Sequence, residues 1–83
     1  MATKIFKVAA PIAGTFYVAT SPENPPFVQT GQKINAGDVV GIIESMKVFT
    51  ELRAKEAGTV KNILVENEDA VMKNQEIVEI EGN

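Results

Sequence analysis

Cysteine and histidine are both missing from these 83 residues. Without cysteine there is no disulfide and no thiolate–metal site, and nothing marks a redox compartment. Without histidine the commonest general base and metal ligand are gone, together with every Ser-His or Cys-His nucleophile pair. Positive charge is scarce as well: 8 Lys and Arg stand against 11 Asp and Glu, for a net charge of −3. That balance disfavours nucleic acid and anionic membranes as partners. No apolar run approaches the roughly 18 residues of a membrane span. Met1-Ala2-Thr3-Lys4 lacks the long apolar core of a signal peptide. The expectation from these absences is one cytoplasmic domain, residues 1–83, with no membrane or nucleic-acid partner. Hydrophobic residues make up 45% of the chain, enough for a globular fold but with a modest core.

What is present is an internal repeat. Ala13-Gly14-Thr15 aligns with Ala57-Gly58-Thr59 at an offset of 44, and Val8 and Ala10 align with Leu52 and Ala54 at the same offset. Val28, Ile34, Val40, Ile43 and Glu44 align with Val65, Val71, Ile77, Ile80 and Glu81 at an offset of 37. Residues 5–44 thus form one copy and 49–81 a second, with Ser45, Met46, Lys47 and Val48 left as the link. The offsets differ by seven, so the first copy carries seven extra residues between Thr15 and Val28. They fall in Val18-Ala19-Thr20-Ser21-Pro22-Glu23-Asn24-Pro25-Pro26, which holds three of the four prolines. Proline lowers the entropy lost when a loop keeps one shape. A stiffened loop in one copy only points to a task beyond closing the fold.

Each copy reads as short strands. Ile5 to Ala10 is a strand halted by Pro11, Gly14 to Tyr17 a second, Gln32 to Ile34 a third, and Val39 to Ile43 a buried fourth. Asn35-Ala36-Gly37-Asp38 and Glu66-Asn67-Glu68-Asp69 are turns. Thr59 to Val65 and Glu76 to Glu81 are strands of the second copy. The stretch from Ile42 to Ala57 is ambiguous. Ile42, Met46, Phe49 and Leu52 have helical spacing, and Glu51 and Lys55 would form an i,i+4 pair. The repeat argues instead for strand, tight turn at Met46-Lys47, and strand, because residues 49–54 correspond to 5–10 and residues 39–44 to 76–81. Four short strands per copy give an all-β unit. Neither copy can bury its apolar face alone, so the two pack into a small sandwich or flattened barrel with approximate two-fold symmetry.

Lys47 then projects from a rigid hairpin at the crossover between copies. Use as a base or Schiff-base nucleophile needs a desolvated pocket, which a hairpin tip does not offer. An exposed amine suits covalent modification by another enzyme. Met46 and Val48 beside it are apolar residues at a turn, as on a recognised surface. Glu44 and Glu51 could flank the hairpin, though solvated turn carboxylates are common.

Glu44-Ser45-Met46-Lys47 resembles the attachment sequence of biotin carboxyl carrier domains, usually Glu-Ala-Met-Lys-Met. The resemblance extends through Ala13-Gly14-Thr15-Phe16-Tyr17, Ser21-Pro22, Phe27-Val28, Gly31-Gln32-Lys33-Ile34, Gly37-Asp38-Val39-Val40 and Ala57-Gly58-Thr59-Val60, covering about residues 8–81. It is most similar to the carrier family of bacterial-type acetyl-CoA carboxylase, in which the proline loop is called the thumb. The resemblance implies a flattened barrel of two four-stranded antiparallel sheets and biotin amide-linked to Lys47. It also implies cofactor contacts from Met46, Val48, Glu44 and the thumb residues Ala19, Thr20, Ser21 and Pro22. The implied partners are a biotin protein ligase, a biotin carboxylase subunit and a carboxyltransferase subunit. Three positions depart from the family pattern. Ser45 stands for alanine, Val48 for the second methionine, and Ala19 for a thumb threonine, with Thr20 next to it. A lipoyl carrier has the same two-copy plan but Asp-Lys-Ala around its lysine and no thumb. An unmodified interaction module is the remaining reading.

Overall fold

The computed structural model describes residues 4–21 and 23–82. Eight strands follow in chain order: β1 (Ile5–Ala9), β2 (Gly14–Tyr17), β3 (Lys33–Ile34), β4 (Val39–Ser45), β5 (Val48–Arg53), β6 (Gly58–Ile63), β7 (Ala70–Val71) and β8 (Glu76–Gly82). They form two four-stranded antiparallel sheets, ordered β1-β8-β6-β3 and β5-β4-β2-β7. Adding four to each strand number turns the first order into the second. The two offsets seen in the sequence are therefore the operation that exchanges the sheets. Among the described residues no helix is long and apolar enough to cross a membrane.

The expected sandwich, its symmetry and its strand–turn–strand link are all present. Ile42 to Ala57 is not helical: Glu51 pairs with Arg53 two residues on, Nη2 to Oε1 at 2.6 Å, as same-face neighbours on a strand do. β4 runs two residues beyond its expected end, through Glu44 and Ser45, because Ser45 pairs with Val48 across the hairpin. β6 stops at Ile63, short of Val65. β7 was not visible as a pattern, since two residues carry no periodicity; it exists because it pairs with Gly14 and Thr15 of β2.

The near-continuous apolar run in β4 has a local cause. The ladder with β5 shifts between Val39 and Gly41, leaving Val40 as an extra residue turned into the core. At the equivalent place, the ladder between β1 and β8 passes from Glu76 to Val78, leaving Ile77 as the extra residue, fully buried. A bulge turns its unpaired residue to whichever side needs it. Phe16, Ile43, Leu52, Ile77, Ile80, Val40, Val60 and Val78 are the largest fully buried side chains. They come from both copies and form one shared layer.

Gly14 and Gly58 set how closely each sheet closes. A Cβ on Gly14 would collide with the Glu44 carbonyl oxygen, and one on Gly58 with that of Glu81. Turn hydrogen bonds repeat in the same way. Gly31 N–H donates to Val60 O at 2.7 Å, and Glu68 N–H donates to Phe16 O at 2.6 Å. Both donors have positive φ, 92° for Gly31 and 70° for Glu68. Left-handed geometry costs an L-residue about 1–2 kcal/mol, so the second copy bears a penalty that glycine spares the first. Glu68→Gly is expected to raise stability by about 0.5–1 kcal/mol in chemical denaturation, once glycine's extra chain entropy is subtracted. A loss of stability would show that the Glu68 side chain makes a compensating contact.

Candidate functional site

The link between the copies is a two-residue hairpin loop. Ser45 and Val48 are the last paired residues, and Met46 and Lys47 form the turn between them. Both turn residues are left-handed, with φ 51° and 66°. That is the type I′ geometry, whose twist matches the flanking strands and for which Asn-Gly is preferred. Two long side chains in this conformation cost about 1–2 kcal/mol each. Strained backbone of this kind persists only where its surroundings over-determine it. The longest ladders of this sheet, between β4 and β5, supply that constraint.

The turn carries Lys47 away from the sheet. Met46 is 93% exposed, Val48 61% and Phe49 62%, so an apolar collar surrounds an exposed amine. Among the described residues no carboxylate lies within ion-pairing distance of Lys47. An unencumbered amine on a stiff mount, ringed by apolar side chains, fits acylation by a separate enzyme. It does not fit catalysis by the lysine itself, which would need a burying pocket.

Beside the hairpin, on the outer face of the β5-β4-β2-β7 sheet, the register places Tyr17 opposite Ile42 and Phe49 opposite Glu44. The proline loop folds over this face. Ala19 and Thr20 join Tyr17, Ile42, Glu44 and Phe49 around a shallow cleft of about 200 Å³. Three of the expected site residues, Ala19, Thr20 and Glu44, thus meet in one place. Ser21 lines a second cavity of about 280 Å³ beneath the loop, with Asn24, Asn67 and Glu68 among its neighbours. Met46, Lys47 and Val48 stand at the tip and line neither cavity. Pro22 lies outside the described residues.

Tyr17, Ile42 and Phe49 were not singled out from the sequence. Tyr17 was findable: it lies within the Ala13–Tyr17 motif, and once β2 pairs with β4 it is the diagonal neighbour of Glu44. Its hydroxyl donates to Glu44 Oε1 at 3.0 Å. That bond needs the phenolic proton, so it raises the Tyr17 pKa above its ordinary 10.0; loss of solvation and the charges of Glu44 and Glu68 push the same way. The unfolded phenol ionises first as pH rises. The stability the bond contributes is therefore present below about pH 10 and is lost as pH climbs through the raised native value.

A family described as biotin-requiring enzymes, of biotin–lipoyl type, matches residues 7–80. The biotin carboxyl carrier protein of acetyl-CoA carboxylase from Pseudomonas aeruginosa is 41% identical over 73 residues, 88% of this chain and 47% of that protein. The protein of the same name from a Nostoc species is 43% identical over 77 residues, 93% of this chain and 42% of that one. The chain thus spans about half the length of these curated relatives or less. Among solved structures, the urea carboxylase of Kluyveromyces lactis superposes with a TM-score of 0.79 at 28% identity, over 96% of this chain and 6% of that one.

Two measurements check the geometry. Replacing Met46-Lys47 with Asn-Gly relieves the left-handed strain and is expected to stabilise the fold by about 1–2 kcal/mol in denaturant titration; destabilisation would mean that the side chains, not the turn type, hold the tip. The single tyrosine makes an ultraviolet titration clean. Tyr17 should ionise above 10, and Glu44→Gln should bring it back toward 10. A midpoint unmoved by that substitution contradicts the bond.

Proposed function

The chain belongs to the biotin–lipoyl family of biotin-requiring enzymes, and from that we propose that residues 1–83 act as a single covalent biotin carrier domain with the cofactor on Lys47. The observation that carries the reading is the turn: a strained two-residue tip at the junction of the copies that presents one amine inside an exposed apolar collar. A biotin protein ligase would activate the cofactor carboxylate. The Lys47 amine would then attack that carbonyl and form an amide, with loss of the activating group and one proton. Met46, Val48 and Phe49 would supply apolar surface for ligase contact. Attached biotin supplies the carboxyl-carrying chemistry. The domain itself is a mount rather than a catalyst.

In this reading the carrier serves acetyl-CoA carboxylase in the cytoplasm. Its two docking partners are a biotin carboxylase subunit and a carboxyltransferase subunit. The names of the curated relatives support that assignment. Tethering matters because it turns each encounter into an intramolecular one at high effective concentration. The rigid hairpin fixes where the arm begins. The cleft under Ala19 and Thr20, floored by Tyr17, Ile42 and Phe49 and edged by Glu44, is a place beside that arm where an apolar ring with polar edges can rest. The seven-residue loop that roofs it favours biotin over lipoyl.

Lys47→Arg separates a carrier from an interaction module. Charge is kept and little packing is lost at an exposed tip, so stability should change by no more than about 0.5 kcal/mol. Arginine remains protonated and is a poor nucleophile. With ligase, ATP and biotin, intact-protein mass should show one biotin on the wild type and none on the variant, and carboxyl transfer in the assembled complex should vanish. Biotin on Lys33, Lys61 or Lys73, a lipoyl adduct, or persistent transfer by Lys47→Arg would each overturn the proposal.

A further inference from the structure

The pseudo-symmetry offers a way to see which contacts belong to function rather than to the fold. Most turn hydrogen bonds occur twice, once per copy. Asn35 N–H donates to Asp38 Oδ2 as Met72 N–H donates to Gln75 Oε1. Gln29 N–H donates to Gln32 Oε1 as Glu66 N–H donates to Asp69 Oδ2. Among the described residues, one bond from a backbone N–H to a side chain has no counterpart: Val18 N–H donates to Asn67 Oδ1 at 2.9 Å. By the two offsets the corresponding positions are Asn62 and Thr30, and no such bond joins them among the described residues.

The bond sits at the root of the thumb. Val18 is the first residue after β2, and its carbonyl accepts from Phe27 N–H at 2.7 Å, which closes the loop on itself. Val18 and Phe27 both pack against the core. Asn67 reaches across from the turn of the other copy and lies along the cavity beneath the loop, with Thr20, Ser21 and Asn24. That turn is itself clamped to β2, since Phe16 N–H donates to Asp69 O at 2.8 Å and Glu68 N–H donates back to Phe16 O. Among the described residues, the bonds at the far end of the loop are internal, from Asn24 N–H to Ser21 O and from Asn24 Nδ2 to Thr20 Oγ1. Asn67 is thus the side chain that joins the loop's root to the rigid body of the second copy.

We propose that Asn67 is a positioning residue for carboxyl transfer: it holds the thumb root so that Ala19 and Thr20 stay over the cleft beside the Lys47 arm. This rests on the carrier reading above. Asn67 touches neither Lys47 nor the cleft, so its effect is on the fraction of molecules with the thumb in place. Apparent affinity falls in proportion to that fraction, while turnover at saturation does not.

The test uses Asn67→Ala and, as the conservative variant, Asn67→Asp, whose carboxylate keeps the acceptor. The first readout is amide hydrogen exchange at Val18 in the unmodified protein. It should quicken about two- to tenfold in Asn67→Ala, the range that loss of one such bond supports, and return in Asn67→Asp. The second is transfer kinetics with the biotinylated carrier as substrate. KM should rise, by at most the same factor, at unchanged kcat, and ligase modification of Lys47 should proceed as in the wild type. In a background lacking Ala19 to Pro25 the Asn67→Ala change should add nothing. Unaltered Val18 exchange, an unaltered KM, or a fall in kcat that tracks the unfolded fraction would overturn the proposal. Absence of biotin from the wild-type Lys47 would instead overturn the carrier reading, and the exchange measurement still decides the role of Asn67.

Discussion

The molecule depends on one apolar layer that neither half of the chain can complete. Phe16, Val40 and Ile43 of the first copy lie against Leu52, Val60, Ile77, Val78 and Ile80 of the second, all of them fully buried. Each such side chain contributes about 1.5–3 kcal/mol through burial. The two left-handed residues at the hairpin cost about 2–4 kcal/mol between them. That is the burial of one or two core residues, so the layer can hold a strained tip that no isolated hairpin would keep. The close approach of Gly14 to the Glu44 carbonyl brings β4 tightly onto β2 just ahead of the turn.

The same exchange of sheets that builds the fold also isolates what is not needed for folding. Tyr17 and Glu44 form a hydrogen bond, while their counterparts by the offsets are Lys61 and Glu81, for which no such bond occurs among the described residues. The tip Met46-Lys47 is exchanged with the paired ends of β1 and β8, where Gly82 N–H donates to Lys4 O. There β1 and β8 lie side by side with no turn between them, whereas β4 and β5 are joined by a turn that carries a lysine. The proline loop and the Tyr17–Glu44 bond fall on the first copy, and the Asn67 tie joins that loop to the second. The residues of the proposed site fall where the halves differ.

The two long edge strands, β1 and β5, present Lys7 and the pair Glu51–Arg53 to solvent, charges that discourage pairing with another chain. These exposed ion pairs add little stability.

The all-β class, the two copies and their offsets, the turn at Met46-Lys47 and the lysine at the crossover are legible in the residues alone. These follow from local pattern: alternating burial, turn chemistry, and self-similarity that survives without knowledge of contacts. The bulges at Val40 and Ile77, the two-residue strand β7, and the meeting of Ala19 and Thr20 with Tyr17, Ile42, Glu44 and Phe49 were decided only by the tertiary structure. So was the reach of Asn67 to Val18. Each of these joins residues distant in sequence, through a register or a loop position that no local periodicity encodes. The reason is that side-chain direction on a strand depends on its pairing partner, and the partner is chosen by the shared core rather than by the strand itself.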